Sequence, residues 1–334
     1  MKYAALDAFG LDDMEFRERD IPAPGPGEVL IKVAACSINY RDFMIANGLY
    51  KTDIPMPLIP LSDCSGTVEA VGERVSSVSA GDRITSVLWQ DWESGALSAG
   101  QRTASPGCET PGVLAEYALL PETGVAAMPG SLSFAEAACL PAAGLTAFAS
   151  LTTVGGLQAG GTVLTLGTGG VSLFALQFAK AMGATVAITS GSDEKLGKAA
   201  ALGADILINY NSTPDWGEEV LRQTGGADVV VETAGAGTLA QSMAAVGFSG
   251  RIAYLGALSG FSAETNLMPL VVKNASIHGV TVSHREDHRR MTAFVDEHGI
   301  KPVIDTVYPF AQGIQAIKDI AAGRHFGKLA VEVV

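Results

Sequence analysis

The first 277 residues of this 334-residue chain contain no histidine. All five histidines (His278, His284, His288, His298 and His325) fall in the last fifth. No histidine-based metal site can therefore be assembled in the N-terminal part by ordinary ligand spacing. Cysteine is sparse too. Cys36, Cys64, Cys108 and Cys139 stand far apart with no CxxC pair, which suits neither a disulfide framework nor a zinc knuckle and predicts buried free thiols. Positive charge is short: 22 Lys and Arg against 35 Asp and Glu leave a net charge of −13. That excludes the basic field a nucleic-acid partner requires. The most apolar region, Val163 to Ala181, is broken by Gly167, Gly169 and Gly170. It falls short of the ~18–20 apolar residues that span a bilayer, so no membrane partner is expected. The opening MKYAALDAFGLDD carries Asp7, Asp12 and Asp13 and does not read as a secretory leader; the cytoplasm is the expected compartment.

What is present is nearly half apolar, in a chain too long for one ordinary core, which predicts two globular domains of unequal kind. The first third reads as short strands, Val29–Ala34, Gly66–Val71 and Arg83–Val87, between turn signals such as PAPGPGE, the pattern of a small barrel or rolled sheet. Trp89 to Pro111, rich in Gly, Ser, Thr and Pro, reads as a long surface excursion. From Pro129 the texture changes. Ser133 and Glu136 stand at capping-box spacing. Then strands at Thr162–Leu166, Thr185–Thr189, Ile206–Ile208, Asp228–Glu232, Arg251–Gly256 and Ile277–Val282 alternate with helices. Such a series predicts a doubly wound parallel sheet. The tail is mixed again, with a helix near Gln312–Ala322 and a strand at Lys328–Val333.

Gly167-Thr-Gly169-Gly170-Val171-Ser172 lies after a strand and before a helix, where a dinucleotide fingerprint belongs. Gly167 permits the tight turn, and Gly169 lets the backbone approach a pyrophosphate held at the helix N-terminus. The last glycine of the fingerprint is Ser172 here. A carboxylate for a ribose 2′-hydroxyl is expected about 20 residues on, but that place reads Thr189-Ser190-Gly191-Ser192. Hydroxyls and the nearby Lys195 suit a 2′-phosphate, favouring NADP(H). Asp193 is the competing feature, read as a helix N-cap in preference to a ribose ligand.

The segments PGPGEVLIKV (Pro24–Val33), PLIPLSDCSGTVEAVG (Pro57–Gly72), GVLAEYALLP (Gly112–Pro121), LPAAGLTA (Leu140–Ala147), GTGGVSLFALQFAKAMGA (Gly167–Ala184) and HFGKLAVEV (His325–Val333) resemble the medium-chain dehydrogenase/reductase superfamily over essentially the whole chain. Within it, the chain looks most like the zinc-independent, quinone-oxidoreductase-like members. The resemblance implies an α/β protein in which a GroES-like β-rich catalytic domain (1–127 and 286–334) joins a doubly wound Rossmann domain (128–285). It also implies a homodimer formed through the sheet edge near Ile277–Val282. The Cys, His and Cys that bind catalytic zinc in the alcohol dehydrogenases become Asn39, Ser62 and, approximately, Ala143, and Gly-His-Glu becomes Leu61-Ser62-Asp63. Amide and hydroxyl do not replace thiolate and imidazole as zinc ligands, and Trp89–Gly112 holds one cysteine where a structural-zinc lobe needs four. No metal is expected. By the same resemblance Lys195 and Tyr210 hold the 2′-phosphate with Ser190 nearby. Thr146 and the stretch from Val282 through Ser283 to His284 lie near the cofactor, and Lys328 touches its phosphate unless it is a solvated strand end.

Without zinc, simple alcohol oxidation lacks its Lewis acid. Hydride delivered to an enone or quinone sends charge into a delocalised oxygen that modest donors can stabilise. Asn39 and Tyr50 match positions lining the nicotinamide pocket of quinone-oxidoreductase-like relatives and are the candidate catalytic residues, against structural readings as a turn amide and a rim aromatic. Arg41 and Asp42 read as an ion pair, and Trp89 and Trp92 as a substrate wall or loop packing. The expected activity is NADPH-dependent reduction of a small electrophile, a quinone or an α,β-unsaturated carbonyl. The alternatives are a zinc-independent carbonyl reductase or alcohol dehydrogenase, and a non-catalytic NADPH-binding protein.

Overall fold

The hydrophobic period changes along the chain, and the backbone changes architecture with it. The structure, a computed structural model, describes residues 1–102, 104–256 and 258–333. Contacts divide the chain into Met1–Leu145 with Ser283–Val334, and Thr146–Val282. The expected boundaries were 127/128 and 285/286. Residues 128–145 group with the terminal unit because they bond into its sheet: Ser65 Oγ donates to Phe134 O (2.6 Å) and Ala142 N to Asp63 Oδ2 (2.9 Å).

The terminal unit opens with an antiparallel pair, β1 (Lys2–Leu6) and β2 (Met14–Glu18). There follow β3 (Glu28–Ile38), helix α1 (Tyr40–Ala46), β4 (Asp63–Val71), β5 (Arg83–Ser86), β6 (Tyr117–Pro121), β7 (Val125–Ala127) and the short helix α2 (Phe134–Ala137). Ser133 caps α2 as its spacing predicts: Glu136 N donates to Ser133 Oγ (3.3 Å) and Ser133 N to Glu136 Oε2 (2.7 Å). A π-helical turn, Leu140–Gly144, leads into α3 (Leu145–Leu151).

The second unit then runs β8 (Thr162–Leu166), α4 (Gly170–Ala181), β9 (Thr185–Ser190), α5 (Asp193–Ala201), β10 (Ile206–Asn209), α6 (Trp216–Thr224), β11 (Ala227–Glu232), α7 (Leu239–Ala245), β12 (Val246–Tyr254), α8 (Met268–Lys273) and β13 (Ser276–Gly279). The terminal unit resumes with α9 (Arg285–His298), β14 (Ile304–Pro309), α10 (Gly313–Ile320) and β15 (Lys328–Glu332).

β3 organises the terminal sheet, whose order is β14-β15-β3-β4-β5-β7 with β6 also on β3. Val29, Ile31 and Val33 are buried while Lys32 between them is exposed. The core adds Ile84, Leu114, Leu120, Ile317 and Val331, each such side chain contributing roughly 1.5–3 kcal/mol of hydrophobic stabilisation. The second sheet is entirely parallel, in the order β10-β9-β8-β11-β12-β13. That is the doubly wound order the alternation predicts. β8 and β11 are neighbours although β9 and β10 lie between them in sequence, and ligands bind beyond the strand ends at such a reversal. The final strand ends at Gly279, short of the expected Val282.

Candidate active site

In the unit Thr146–Val282, the turn after β8 is shaped for clearance. Gly167 has φ +71°, a conformation most residues avoid, and a Cβ built at Gly167 or Gly169 would meet no heavy atom within 4 Å. Gly169 caps the twelve-residue α4 with no side-chain bond. The first-turn N–H groups, from Gly170 and Val171 onward, face that clearance with the positive end of the helix dipole, a ready anion site. Ser172 departs from the glycine fingerprint for a local reason: it is buried, and its Oγ donates to Leu166 O at 2.5 Å.

Thr233 Oγ1 donates to the same carbonyl at 2.7 Å. The residue before it, Glu232, ends β11 with its carboxylate fully buried. Glu232 Oε1 accepts from Ala234 N (2.9 Å), Gly235 N (2.9 Å) and Thr238 Oγ1 (2.8 Å), and Oε2 accepts from Ser242 Oγ. The loop after β11 is thus clamped beside the glycine turn. Sequence reasoning missed Glu232; the signal was an acidic residue closing the apolar run ADVVVE.

At the next strand ends, Asn209 of β10 pairs with Ser190 of β9. Ser190 is buried and its Oγ accepts from Ser192 N (3.2 Å). Tyr210 packs its ring on Gly191 so closely that a Cβ there would lie 2.7 Å from the phenol oxygen. Lys195 stands half-buried in the first turn of α5. The N-cap of α5 is Ser192, whose Oγ accepts from Lys195 N (3.3 Å), not Asp193 as expected. Asp193 is the first helical residue, and its carboxylate accepts from Asn209 Nδ2 at 2.6 Å. Ser190, Lys195 and Tyr210 therefore stand together at the ends of adjacent strands and the helix turn between them.

Thr146 is buried in α3. Val282 has φ +60°, strain that a β-branched residue tolerates only where surroundings or function impose it. The Ser283 hydroxyl is committed to Asp287 Oδ2 (2.7 Å), so its side chain serves the start of α9.

In the terminal unit, Asn39 leaves β3 and caps α1. Its backbone N–H donates to Asp42 Oδ2 at 2.8 Å. Burial pushes the Asp42 carboxyl up to about 6 against the pull of Arg41, with which it pairs at 3.8 Å. Lys328, expected at a cofactor phosphate or as a solvated strand end, is not solvated: it is 4% exposed, and its ammonium donates to Ile38 O (2.7 Å) and Asn39 Oδ1 (2.6 Å). The antiparallel register Leu329↔Ile38 brings it there. The other end of the amide, Asn39 Nδ2, is buried with no protein partner.

Ser62 Oγ donates to Asp63 Oδ1 at 2.7 Å. All four cysteines are free and buried, as their spacing predicts. Burial pushes the Cys64 and Cys139 thiols up to about 12 and Cys108 to about 11, and raises Cys36 well above its ordinary value. Among the described residues no group of three or more His, Cys, Asp or Glu side chains is arranged to hold a metal ion.

Tyr50 is 36% exposed, its ring facing the Arg41 guanidinium at 5.4 Å. Arg41 NH2 also donates to Ser105 Oγ (3.0 Å), which donates to Glu109 Oε2 (2.6 Å). The excursion is pinned at its start as well: Arg285 N donates to Trp92 O and Glu286 N to Glu93 O, each at 3.0 Å. Trp89 is buried under Arg102 (5.2 Å), and Trp92 bonds Gly95 O (3.0 Å) and packs edge-on against His284. Trp89 thus packs within the excursion, and Trp92 joins it to the start of α9.

Two family models match, described as an alcohol dehydrogenase GroES-like domain over residues 25–130 and a zinc-binding dehydrogenase over residues 170–297. A zinc-type alcohol dehydrogenase-like protein of Schizosaccharomyces pombe is 37% identical across 100% of this chain and 99% of its own length. The chain belongs to the medium-chain dehydrogenase/reductase superfamily. It shares that family's oxidoreductase fold, a GroES-like domain and a Rossmann domain for a nicotinamide dinucleotide. A quinone oxidoreductase of Sus scrofa is 32% identical over 91% of this chain and 88% of its own. A solved NAD-dependent alcohol dehydrogenase superposes with TM-score 0.90 at 34% identity, covering 100% of both chains. Among the described residues no helix is long and apolar enough to cross a membrane.

Proposed function

We propose that this member of the superfamily is an NADPH-dependent reductase of quinones or α,β-unsaturated carbonyls that works without catalytic zinc. The observation that carries the reading is the state of Asn39. It stands where zinc-dependent relatives are expected to place a thiolate, and its amide oxygen is held 2.6 Å from an ammonium. A cation so close repels a dication. The donor set around it fits no better: the Ser62 hydroxyl donates to Asp63, Ala143 offers no side-chain ligand, and the thiols are held protonated by burial. The residues present do not fit zinc.

They do fit a dinucleotide. The glycine turn would receive the pyrophosphate, and Ser190, Lys195 and Tyr210 the ribose 2′-phosphate, with Asp193 already engaged by Asn209. When bound, the nicotinamide supplies hydride. Asn39 Nδ2 would donate to the substrate oxygen as negative charge develops there, and Tyr50 would border the substrate. A single neutral donor suits an enolate or hydroquinone oxygen, where charge is delocalised, better than a localised alkoxide.

The test supplies NADPH with an enone, a quinone and an aldehyde and follows loss of cofactor absorbance, with and without chelator. Turnover of the first two, unaffected by chelation, is expected. Turnover of aldehyde alone, or chelator-sensitive activity, would discard the reading, and tight NADPH binding without any turnover would leave a binding protein. In the same assay Lys195→Ala should raise the KM for NADPH by about 10–100-fold and leave that for NADH nearly unchanged, since only NADPH carries the phosphate; equal losses would remove Lys195 from the site.

A second copy of this chain is the proposed protein partner. β13 is an edge strand of the parallel sheet, and Phe248, Phe261, Val271 and Val272, in the same unit, are 65–76% exposed. Unpaired sheet edges and exposed apolar surface of this kind mark association sites.

A further inference from the structure

We infer that Lys328 is a positioning residue that holds the Asn39 amide in one of its two orientations, with the NH₂ group presented to the substrate oxygen. The inference rests on the reading of Asn39 as the donor in the proposed reduction.

An asparagine amide can turn end for end at little cost in shape, and only one orientation offers a donor. An ammonium decides between them because it has three donors and no acceptor: it can face Oδ1 but not Nδ2. Lys328 sits 2.6 Å from Oδ1, and its second bond, 2.7 Å to Ile38 O, stops it from following the amide if the side chain swings. Both acceptors are neutral oxygens, and the opposite charge that acts on the ammonium is the nearby buried Asp42 carboxylate, whose Oδ2 holds the Asn39 backbone.

The backbone is built around this placement. Gly327, with φ +90°, passes so near Val303 O that an added Cβ would lie 2.3 Å from it. Lys328 N then bonds the same carbonyl at 2.9 Å, and β15 enters its register against β3. On the far side, the bond from Asn39 N to Asp42 Oδ2 fixes the main chain from which the amide projects. With backbone, oxygen and cation all held, Asn39 Nδ2 is the one group of that residue left to donate.

The test is a mutant cycle on the full-length protein with NADPH and an enone. Asn39→Ala should lower kcat about 10²-fold, the scale for losing one oxyanion donor. Lys328→Met should lower kcat about 10-fold or more, with NADPH affinity unchanged within about 2-fold, and the double variant should be no worse than Asn39→Ala alone. Asn39→Asp keeps the acceptor for Lys328 but removes the donor. It should fold, bind NADPH and lose kcat about 10²-fold. Lys328→Gln, whose own amide can face either end of Asn39, should lower kcat as Lys328→Met does and carries the test if that variant does not fold. As a readout independent of turnover, the side-chain amide resonances of Asn39 should shift and broaden in Lys328→Met.

Losses that multiply in the double variant, an unperturbed Asn39 amide, or a Lys328→Met defect confined to NADPH binding would overturn the inference while leaving the proposed reduction standing. A normal kcat in Asn39→Ala would instead remove Asn39 as the donor, and the proposed reduction would have to find another.

Discussion

His288 shows how completely the fold can decide the charge of a single side chain. It is fully buried on α9, with Nε2 3.3 Å from Thr85 Oγ1. Burial, reinforced by the nearby Arg285 and Arg289 charges, pulls its pKa from 6.5 to about 4. The unfolded chain therefore binds this proton more readily than the native one. The contribution to stability is fully present above pH 6.5 and is lost as pH falls through 4, about 3 kcal/mol in all. Denaturant unfolding across that window should show a shallower acid loss in His288→Gln than in the parent; identical slopes would show that His288 does not titrate there. At the same scale, the residue types of the site were legible in the sequence but their partners were not. Asn39 was a candidate donor from its position, yet the ammonium that orients it comes from a strand 289 residues away. Asp193 read as a cap because it precedes a helix, but Ser192 takes that role and frees the carboxylate for Asn209.

Among elements, α9, a helix that the pattern of the tail did not predict, joins segments far apart in the chain. Its first residue, Arg285, is 11% exposed in its side chain and ties three segments together: Nε to Val125 O (3.1 Å), NH2 to Glu122 O (3.2 Å) and NH1 to Glu93 Oε2 (3.3 Å). Arg285→Met would leave buried carbonyls without donors and should cost roughly 2–4 kcal/mol. Glu93→Gln loosens only a half-exposed carboxylate and should cost less than about 1 kcal/mol. Chemical denaturation of the two variants separates these values, and equal losses would mean the surface pair, not the buried bonds, secures the excursion. The strands of the parallel sheet were legible to within about five residues, whereas β1, β2 and α9 were not read from the sequence. The excursion from Trp89 to Pro111 was not legible, because its conformation rests on long-range bonds to α9 and to Arg41 rather than on any local repeat.

For the whole molecule, the proposed association makes a prediction of its own. Val271 and Val272 are 70% and 65% exposed on α8, and a charge there would have to be desolvated in any self-associated form. Val271→Asp should shift the protein to a monomer in sedimentation at micromolar concentration without lowering its melting temperature. A parent chain that already sediments as a monomer would discard the dimer.

The alternation of apolar runs and the glycine turn after β8 were sufficient, by themselves, to establish the doubly wound sheet and the strand-turn-helix that opens it, because period and steric tolerance are local properties of the chain. Tertiary structure alone decided which polar groups meet. It set Lys328 against Asn39, buried Glu232 under the loop it clamps, and laid Tyr210 on Gly191, since strand register and burial join residues that no sequence interval relates.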